Sequence, residues 1–372
     1  MIKSDCIHYP LDRPCLFHKE KGLECFTCTA YVPLLSSGKN KILIIKLGAM
    51  GDVLRTTFIL PGLKQMYPNC QITWIVALNS IDILKENTYI SNIWQMDEDI
   101  FKKLLSEKFN ILINLDLSAE SLALATIAYS DKKIGFWLNE KRMIVCSNSY
   151  ASHWLAMSSS DPIKKANTNT FQYWMSKIIE LPKSDYEIYV PLNKKSVAKA
   201  NRFAKKHSLA KKIVVGINPG SGKRWKLKKW TDKGFIEIIK KLDSKKIKVL
   251  LFGGHEEDKL IKMFMTKTKN AAINTGTNNS IPDFFALLNL CDLVVCGDTL
   301  ALHAALGLKK DVLAIFGPTS APEIEMYNRG IKLVSPLNCV CCYRQNCDVK
   351  PNCMESLSIE MVWSSLNKLI KE

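Results

Sequence analysis

The segment Lys41-Ile-Leu-Ile-Ile-Lys-Leu-Gly-Ala-Met-Gly-Asp-Val-Leu-Arg-Thr-Thr57 decides how the rest of the chain is read. Residues 42–45 form an unbroken apolar, β-branched run, the pattern of a strand buried on both faces of a parallel sheet. Gly48 and Gly51 then mark a tight loop, and a helix is expected to open near Val53. Asp52 would thus stand at the carboxyl end of a strand, where open α/β sheets hold their ligands. Glycines let backbone approach a substrate closely, and a fixed carboxylate beside them can act as a base. Asp at a helix start also serves as a cap, and the residues alone leave both readings open.

The segment KLGAMGDVLRTT is followed by Pro61, Leu63 and the strand-like QITWIV at residues 71–76. Together they resemble the opening of the bacterial heptosyltransferases, the glycosyltransferases that build the inner core of lipopolysaccharide. The resemblance implies that Asp52 is the catalytic aspartate of that loop.

A length of 372 residues exceeds the size at which single cores stop growing, so two domains are expected. Composition, 47% hydrophobic and 23% charged, is that of an ordinary globular protein. No apolar run reaches the roughly 18 residues of a membrane span, the nearest stretch being interrupted by Asp116 and Glu120. The start lacks the apolar region of a signal peptide, so a cytoplasmic location is expected. Lys and Arg (52) outnumber Asp and Glu (35), a net charge of +17, and residues 192–231 contain no acidic residue. Such a surplus favours an anionic partner. No helix-turn-helix, RNA-binding aromatic pattern or zinc-finger spacing accompanies it, so nucleic acid is not the expected partner. The inner-membrane leaflet, as a surface for peripheral association, and a nucleotide-sugar fit the charge better.

Four regions follow from the pattern. Residues 1–38 are an irregular, cysteine-bearing extension. Residues 39–191 alternate strands (42–45, 72–76, 111–115, 133–136, 187–190) with helices such as 53–66 and 119–129. Residues 192–355 repeat the alternation, with strands at 213–217, 248–252, 272–274, 293–296 and 312–316. Residues 356–372 form an amphipathic helix carrying Leu357, Met361, Leu366 and Ile370. Alternating strands and helices imply α/β architecture with parallel sheets, here two doubly wound, Rossmann-like halves facing a cleft. The resemblance implies the same layout, the GT-B fold, with an N-terminal acceptor domain and a C-terminal nucleotide-sugar donor domain. It also implies that the last helix packs back on the first domain.

The second half carries four motifs where strands end. In INPGSGKRW, residues 217–225, a glycine-rich loop presents N–H groups to an anion, with Ser221, Lys223 and Arg224 beside it. In LFGGHEED, residues 251–258, Gly253 and Gly254 allow close approach of a base or ribose. Glu256 is placed to accept from ribose hydroxyls, although His255 and Glu257 also read as plain helix-start residues. In CGDTLALH, residues 296–303, Asp298 and Thr299 open a helix whose N-terminus attracts phosphate. His303 follows about one turn later, facing the same pocket or simply packed. In FGPTSAPE, residues 316–323, Thr319 offers a hydroxyl. In order and spacing these resemble heptosyltransferase segments. The resemblance implies that Lys223 contacts the diphosphate and that Asp298, Thr299 and His303 hold the donor's sugar and phosphates, with Gly51 near the donor. Leu300 departs from the glycine that the family often has there.

Nine of the thirteen cysteines sit at the two ends: Cys6, Cys15, Cys25 and Cys28, then Cys339, Cys341, Cys342, Cys347 and Cys353. The Cys25-x-x-Cys28 spacing suits tetrahedral zinc, with Cys6 and Cys15 as partners and His8 or His18 as substitutes. Cys339-x-x-Cys342 with Cys347 and Cys353 forms a second candidate set, and an iron–sulfur cluster is the other group such cysteines hold. Free buried thiols are the alternative. Any such metal would be structural, since the anion-binding loops lie elsewhere.

The combined expectation is an inverting transferase that needs no cofactor for catalysis. It moves a heptose-like sugar from an ADP-sugar donor to an anionic glycolipid acceptor, with Asp52 as base and Lys223 stabilising the leaving group. A nucleotide-sugar 2-epimerase of the same layout and a non-catalytic scaffold are the alternatives.

Overall fold

The structure, a computed structural model, describes residues 2–10, 12–33, 40–222 and 225–370. Among these, twelve strands build two six-stranded sheets. The first contains β1 (Lys41–Ile45), β2 (Gln71–Val76), β3 (Asn92–Gln95), β4 (Lys108–Asn114), β5 (Tyr129–Leu138) and β6 (Ile144–Cys146). The second contains β7 (Ile213–Asn218), β8 (Ile247–Leu251), β9 (Ala272–Asn274), β10 (Leu293–Gly297), β11 (Asp311–Phe316) and β12 (Gly330–Val334). Their orders, β3-β2-β1-β4-β5-β6 and β12-β11-β10-β7-β8-β9, are the same winding used twice. Every pairing is parallel except β5 with β6. Strand order reverses direction between β1 and β4 in one sheet and between β7 and β10 in the other. Loops after those strands splay apart there and leave a crevice for a ligand.

Central strands are dry because helices cover both faces: Ile42, Leu43, Ile44 and Ile45 have no exposed surface. Side chains of both domains join in one apolar core. It links Val53 and Leu54 of the helix Met50–Thr56 to Ala301, Leu302 and Ala305 of the helix Leu300–Gly307.

Local chemistry explains where the elements depart from the sequence pattern. The helix expected over 53–66 is two helices, Met50–Thr56 and Ile59–Met66. Pro61 has no N–H to offer the carbonyl of Thr57 and its ring crowds that carbonyl, so the first helix stops there. Residues 187–190 are extended but join no sheet. Tyr189 N instead donates to Thr57 Oγ1 at 2.9 Å. Val190 and Ile188 press on Gly307, where a Cβ would lie 2.6 Å from Val190 Cγ2. The sheet edge is taken by β6, which returns antiparallel along β5 with Phe136 opposite Cys146.

The expected return of the last helix to the first domain is corrected by the packing. The helix Ile359–Asn367 lies on the second domain, against the helix Asp232–Leu242 and β12. Val362 and Leu366 join Val215, Ile217 and Leu313 in that domain's core, and Trp230 Nε1 donates to Leu357 O at 3.0 Å. The apolar stripe covers a sheet face of its own domain that would otherwise be wet.

Candidate active site

The loop after β1 is shaped by Asp116, from the end of β4. Its Oδ2 accepts from Leu47 N (2.7 Å) and Gly48 N (2.9 Å), and its Oδ1 pairs with Lys46 Nζ at 2.9 Å. Lys46 also donates to Leu115 O (3.2 Å). Sequence reading registered Asp116 only as a charge interrupting an apolar run. The available signal is a carboxylate two residues beyond the last residue of the neighbouring strand.

Asp52 lies in the first turn of the helix Met50–Thr56, whose N-cap is Ala49 without a side-chain hydrogen bond. The cap reading of Asp52 is therefore set aside. Its Oδ1 pairs with Arg55 Nη2 at 2.8 Å. Burial alone would push the Asp52 carboxyl up; the charges of Arg55, Lys46, His303 and Lys228 outweigh it and hold the group below the ordinary carboxylate value.

Across the crevice, β10 delivers Asp298. Its Oδ2 pairs with Lys228 Nζ at 2.9 Å, and its Oδ1 stands 3.9 Å from His303 Nε2. Lys228 Nζ also donates to Asp298 O at 3.3 Å. Burial opposes ionisation of Asp298, but Lys228 leads the groups that hold it below the usual range. Thr299 is the N-cap of the helix Leu300–Gly307, without a side-chain cap bond, and its Oγ1 accepts from Asn218 Nδ2 at 3.4 Å. His303 is pushed down to about 4 by burial and then by Arg55, so its ring is neutral at ordinary pH. Sequence reading had Lys228 inside a basic stretch without singling it out; only the fold carries it to Asp298.

The two halves meet at Gly51. A Cβ there would lie 3.0 Å from His303 Cδ2 and 3.7 Å from Leu300 Cα. Only a glycine lets the helices cross this closely, so Gly51, Asp52, Asp298 and His303 share one site.

The glycine loops form a second part of it. Gly254 N donates to Glu257 Oε2 at 2.9 Å, and a Cβ on Gly220 would lie 2.6 Å from Glu257 Oε1. Glu257 thus links the loops after β7 and β8, while Glu256, the residue favoured from sequence, points from an exposed turn. Gly253 and half-buried Ser221 flank this contact. Lys223 and Arg224 lie outside the described residues. Thr319 is buried; its loop is braced by the later chain, with Cys341 N donating to Gly317 O (3.0 Å), Tyr343 N to Pro318 O (2.8 Å) and Ser320 N to Tyr343 Oη (3.2 Å).

Cys6, Cys15, Cys25 and Cys28 line one cavity of about 390 Å³ with His8 and His18. Among the described residues no three Cys, His, Asp or Glu side chains converge as a metal ion requires. Lys3 N donates to Cys25 Sγ (3.2 Å) and His18 Nδ1 meets Leu23 O (3.2 Å). As they stand, these side chains do not fit zinc or an iron–sulfur cluster.

Known proteins share this fold. Over 315 residues the chain is 22% identical to the lipopolysaccharide core heptosyltransferase OpsX of Haemophilus influenzae, covering 82% of this chain and 86% of that protein. A glycosyltransferase family 9 structure from Veillonella parvula superposes with a TM-score of 0.72 at 16% identity, over 89% of this chain and 97% of that one. The E. coli heptosyltransferase WaaC with ADP gives 0.58, also at 16% identity, over 88% and 97%. At such identities the structures attest the fold. The model of glycosyltransferase family 9 (heptosyltransferase) matches residues 98–352, and to that family this chain belongs.

Proposed function

We propose that the chain transfers a heptose from ADP-heptose to the lipopolysaccharide inner core or a related anionic glycolipid, with inversion at the anomeric carbon. The observation that carries this reading is the pairing across one crevice: an ionised Asp52 at the carboxyl end of β1, and the Asp298–His303 helix start at the switch point of the other sheet. The acceptor hydroxyl oxygen attacks the anomeric carbon while the bond to the diphosphate oxygen breaks on the opposite face. The hydroxyl proton passes to Asp52, and the bonding pair leaves with ADP. Lys228 and the N-terminus of the helix Leu300–Gly307 are placed to meet the charge that develops on the leaving group. Gly51, Ser221, Arg224, Gly253, Gly254, Glu256, Thr299 and Thr319 are assigned to the donor, and Lys223 to the diphosphate. The 2-epimerase and scaffold readings have no use for a base facing an acceptor. Family membership also weighs against them.

Asp52→Asn tests the mechanism. It removes the base while keeping the shape, so kcat should fall about 10² to 10⁴-fold with donor affinity nearly unchanged. Wild-type turnover in that variant, measured by ADP release with ADP-heptose and core glycolipid, would exclude Asp52 as the base.

A further inference from the structure

Arg55 stands one turn beyond Asp52 on the helix Met50–Thr56 and was not singled out by any sequence motif. Only 14% of its side chain is exposed, and its guanidinium lies 3.9 Å over the Phe171 ring. Nη2 holds Asp52 Oδ1 at 2.8 Å, whereas the buried Nε has no hydrogen-bond partner among the described residues. Besides Asp52, the carboxylates of Glu323 and Asp298 in the second domain act on its charge. One buried cation therefore serves three carboxylates drawn from both halves of the molecule.

Among the described residues, the other charges around Asp52 are already engaged. Lys46, at the end of β1, is paired with Asp116; Lys228, from the second domain, is paired with Asp298. His303, on the facing helix, is neutral at ordinary pH, and Glu323 is held toward its protonated form first by burial. Among the described residues, Arg55 is thus the one cation whose fork is turned on Asp52. Its hold on Oδ1 also decides which oxygen remains: Oδ2 faces the space left by the missing side chain of Gly48, where a Cβ would lie 3.5 Å from it.

We propose that Arg55 is the positioning residue for Asp52: it occupies Oδ1, keeps the carboxylate charged, and turns Oδ2 through the Gly48 gap toward the acceptor hydroxyl. The inference rests on Asp52 being the base and adds which oxygen takes the proton and what holds it. It makes Gly48 part of the acceptor's approach. It also ties the base to the domain that binds the donor, since the same guanidinium answers to Glu323 and Asp298.

The test is steady-state kinetics from pH 3 to 9 with ADP-heptose and core glycolipid, on Arg55→Met, Arg55→Lys, Gly48→Ala, Asp52→Asn and the Arg55→Met/Asp52→Asn double variant. Donor affinity is read separately by calorimetry. Arg55→Met should lower kcat about 10- to 100-fold at neutral pH and move its acid limb up by about one unit or more, with donor Kd within about threefold. Arg55→Lys keeps the charge but not the fork, so the limb should stay near its wild-type position and part of kcat return. Gly48→Ala should lower kcat about tenfold or more without moving the limb, because it obstructs Oδ2 and leaves its charge alone. The double variant should be no slower than Asp52→Asn, since Arg55 acts through the residue already lost. An unmoved limb and wild-type kcat in Arg55→Met, beside an inactive Asp52→Asn, would overturn this inference alone. A double variant more than about tenfold slower than Asp52→Asn would also overturn it, by showing that Arg55 touches substrate. Full activity in Asp52→Asn would overturn the base assignment, and this inference with it. Should Arg55→Met fail to fold, Arg55→Lys, alone and combined with Asp52→Asn, decides by the same two criteria.

Discussion

Two side chains a few ångströms apart answer burial in opposite ways. Asp52 remains charged because several cations outweigh its partial desolvation, and 36% of its side chain stays open to a substrate. His303, only 5% exposed, gives up its charge. The consequence for stability has a definite sign. The unfolded chain's histidine takes up a proton near its ordinary value of 6.5, whereas the folded ring does so only near about 4. Above 6.5 neither state is charged and nothing is lost. Between 6.5 and about 4 the unfolded state binds the proton alone, so acidification weakens the fold through this residue, by up to about 3 kcal/mol. Urea unfolding of the wild type and of His303→Asn across that range should show a steeper loss in the wild type. Equal slopes would remove His303 from the account. From sequence, Asp52, Asp298 and His303 were legible because each follows a strand at a recognisable spacing. Asp116 and Lys228 were not, because each matters through a partner 70 residues away; Arg55, three residues from Asp52, draws its role from a burial that spacing does not show.

At the scale of elements, the site depends on how closely two helices cross. Gly51 is the point of approach, and its missing side chain sets local propensity against geometry. Alanine inside a helix is favoured over glycine by about 1 kcal/mol, which offsets only part of the roughly 1 to 3 kcal/mol that overpacking costs, so Gly51→Ala should lower the melting temperature modestly. The same methyl would meet His303 Cδ2 at 3.0 Å and force the helices apart by a few tenths of an ångström. Because small misplacements at a reacting centre are costly, kcat/KM should fall about tenfold. A fully active variant with an unchanged melting temperature would contradict both halves of that expectation. The strands around the crossing were readable as apolar runs bounded by glycines, and β1, β7 and β10 lie within a residue of where the pattern put them. Residues 187–190 show why the pattern fails elsewhere. Their alternating apolar character fits a strand, but what they bury against is Thr57 and Gly307, not another strand. Short, half-polar β3, β6 and β12 escaped for the converse reason: their backbone pairing, not their side chains, makes them strands.

Over the whole molecule, the two sheets are joined by a seam as well as a linker. Phe171 N donates to Glu323 O at 2.8 Å, Gln172 Nε2 to Tyr327 Oη at 2.9 Å, and Arg329 Nη2 pairs with Glu187 Oε1 at 2.5 Å. These contacts hold the two domains against each other. Among the described residues no helix is long and apolar enough to cross a membrane. We propose that the net charge of +17 instead keeps the enzyme at the cytoplasmic face of the inner membrane, where an anionic glycolipid would be met. Sedimentation with vesicles containing anionic lipid should recover the protein at low salt and release it at about 0.5 M, since surface attraction is screened within a few ångströms there. Attachment indifferent to salt would argue for another mode of binding. The sequence by itself determined the α/β class, the two doubly wound halves and the positions of the loops that carry chemistry, because apolar period and glycine placement are local properties of the chain. Only the tertiary structure decided that the last helix covers its own domain, that Glu257 links the glycine loops, that Lys228 pairs with Asp298, and that Asp116 shapes the loop after β1. Those outcomes depend on which distant charges and apolar faces are brought out of water together, and nothing in the spacing of neighbouring residues encodes that.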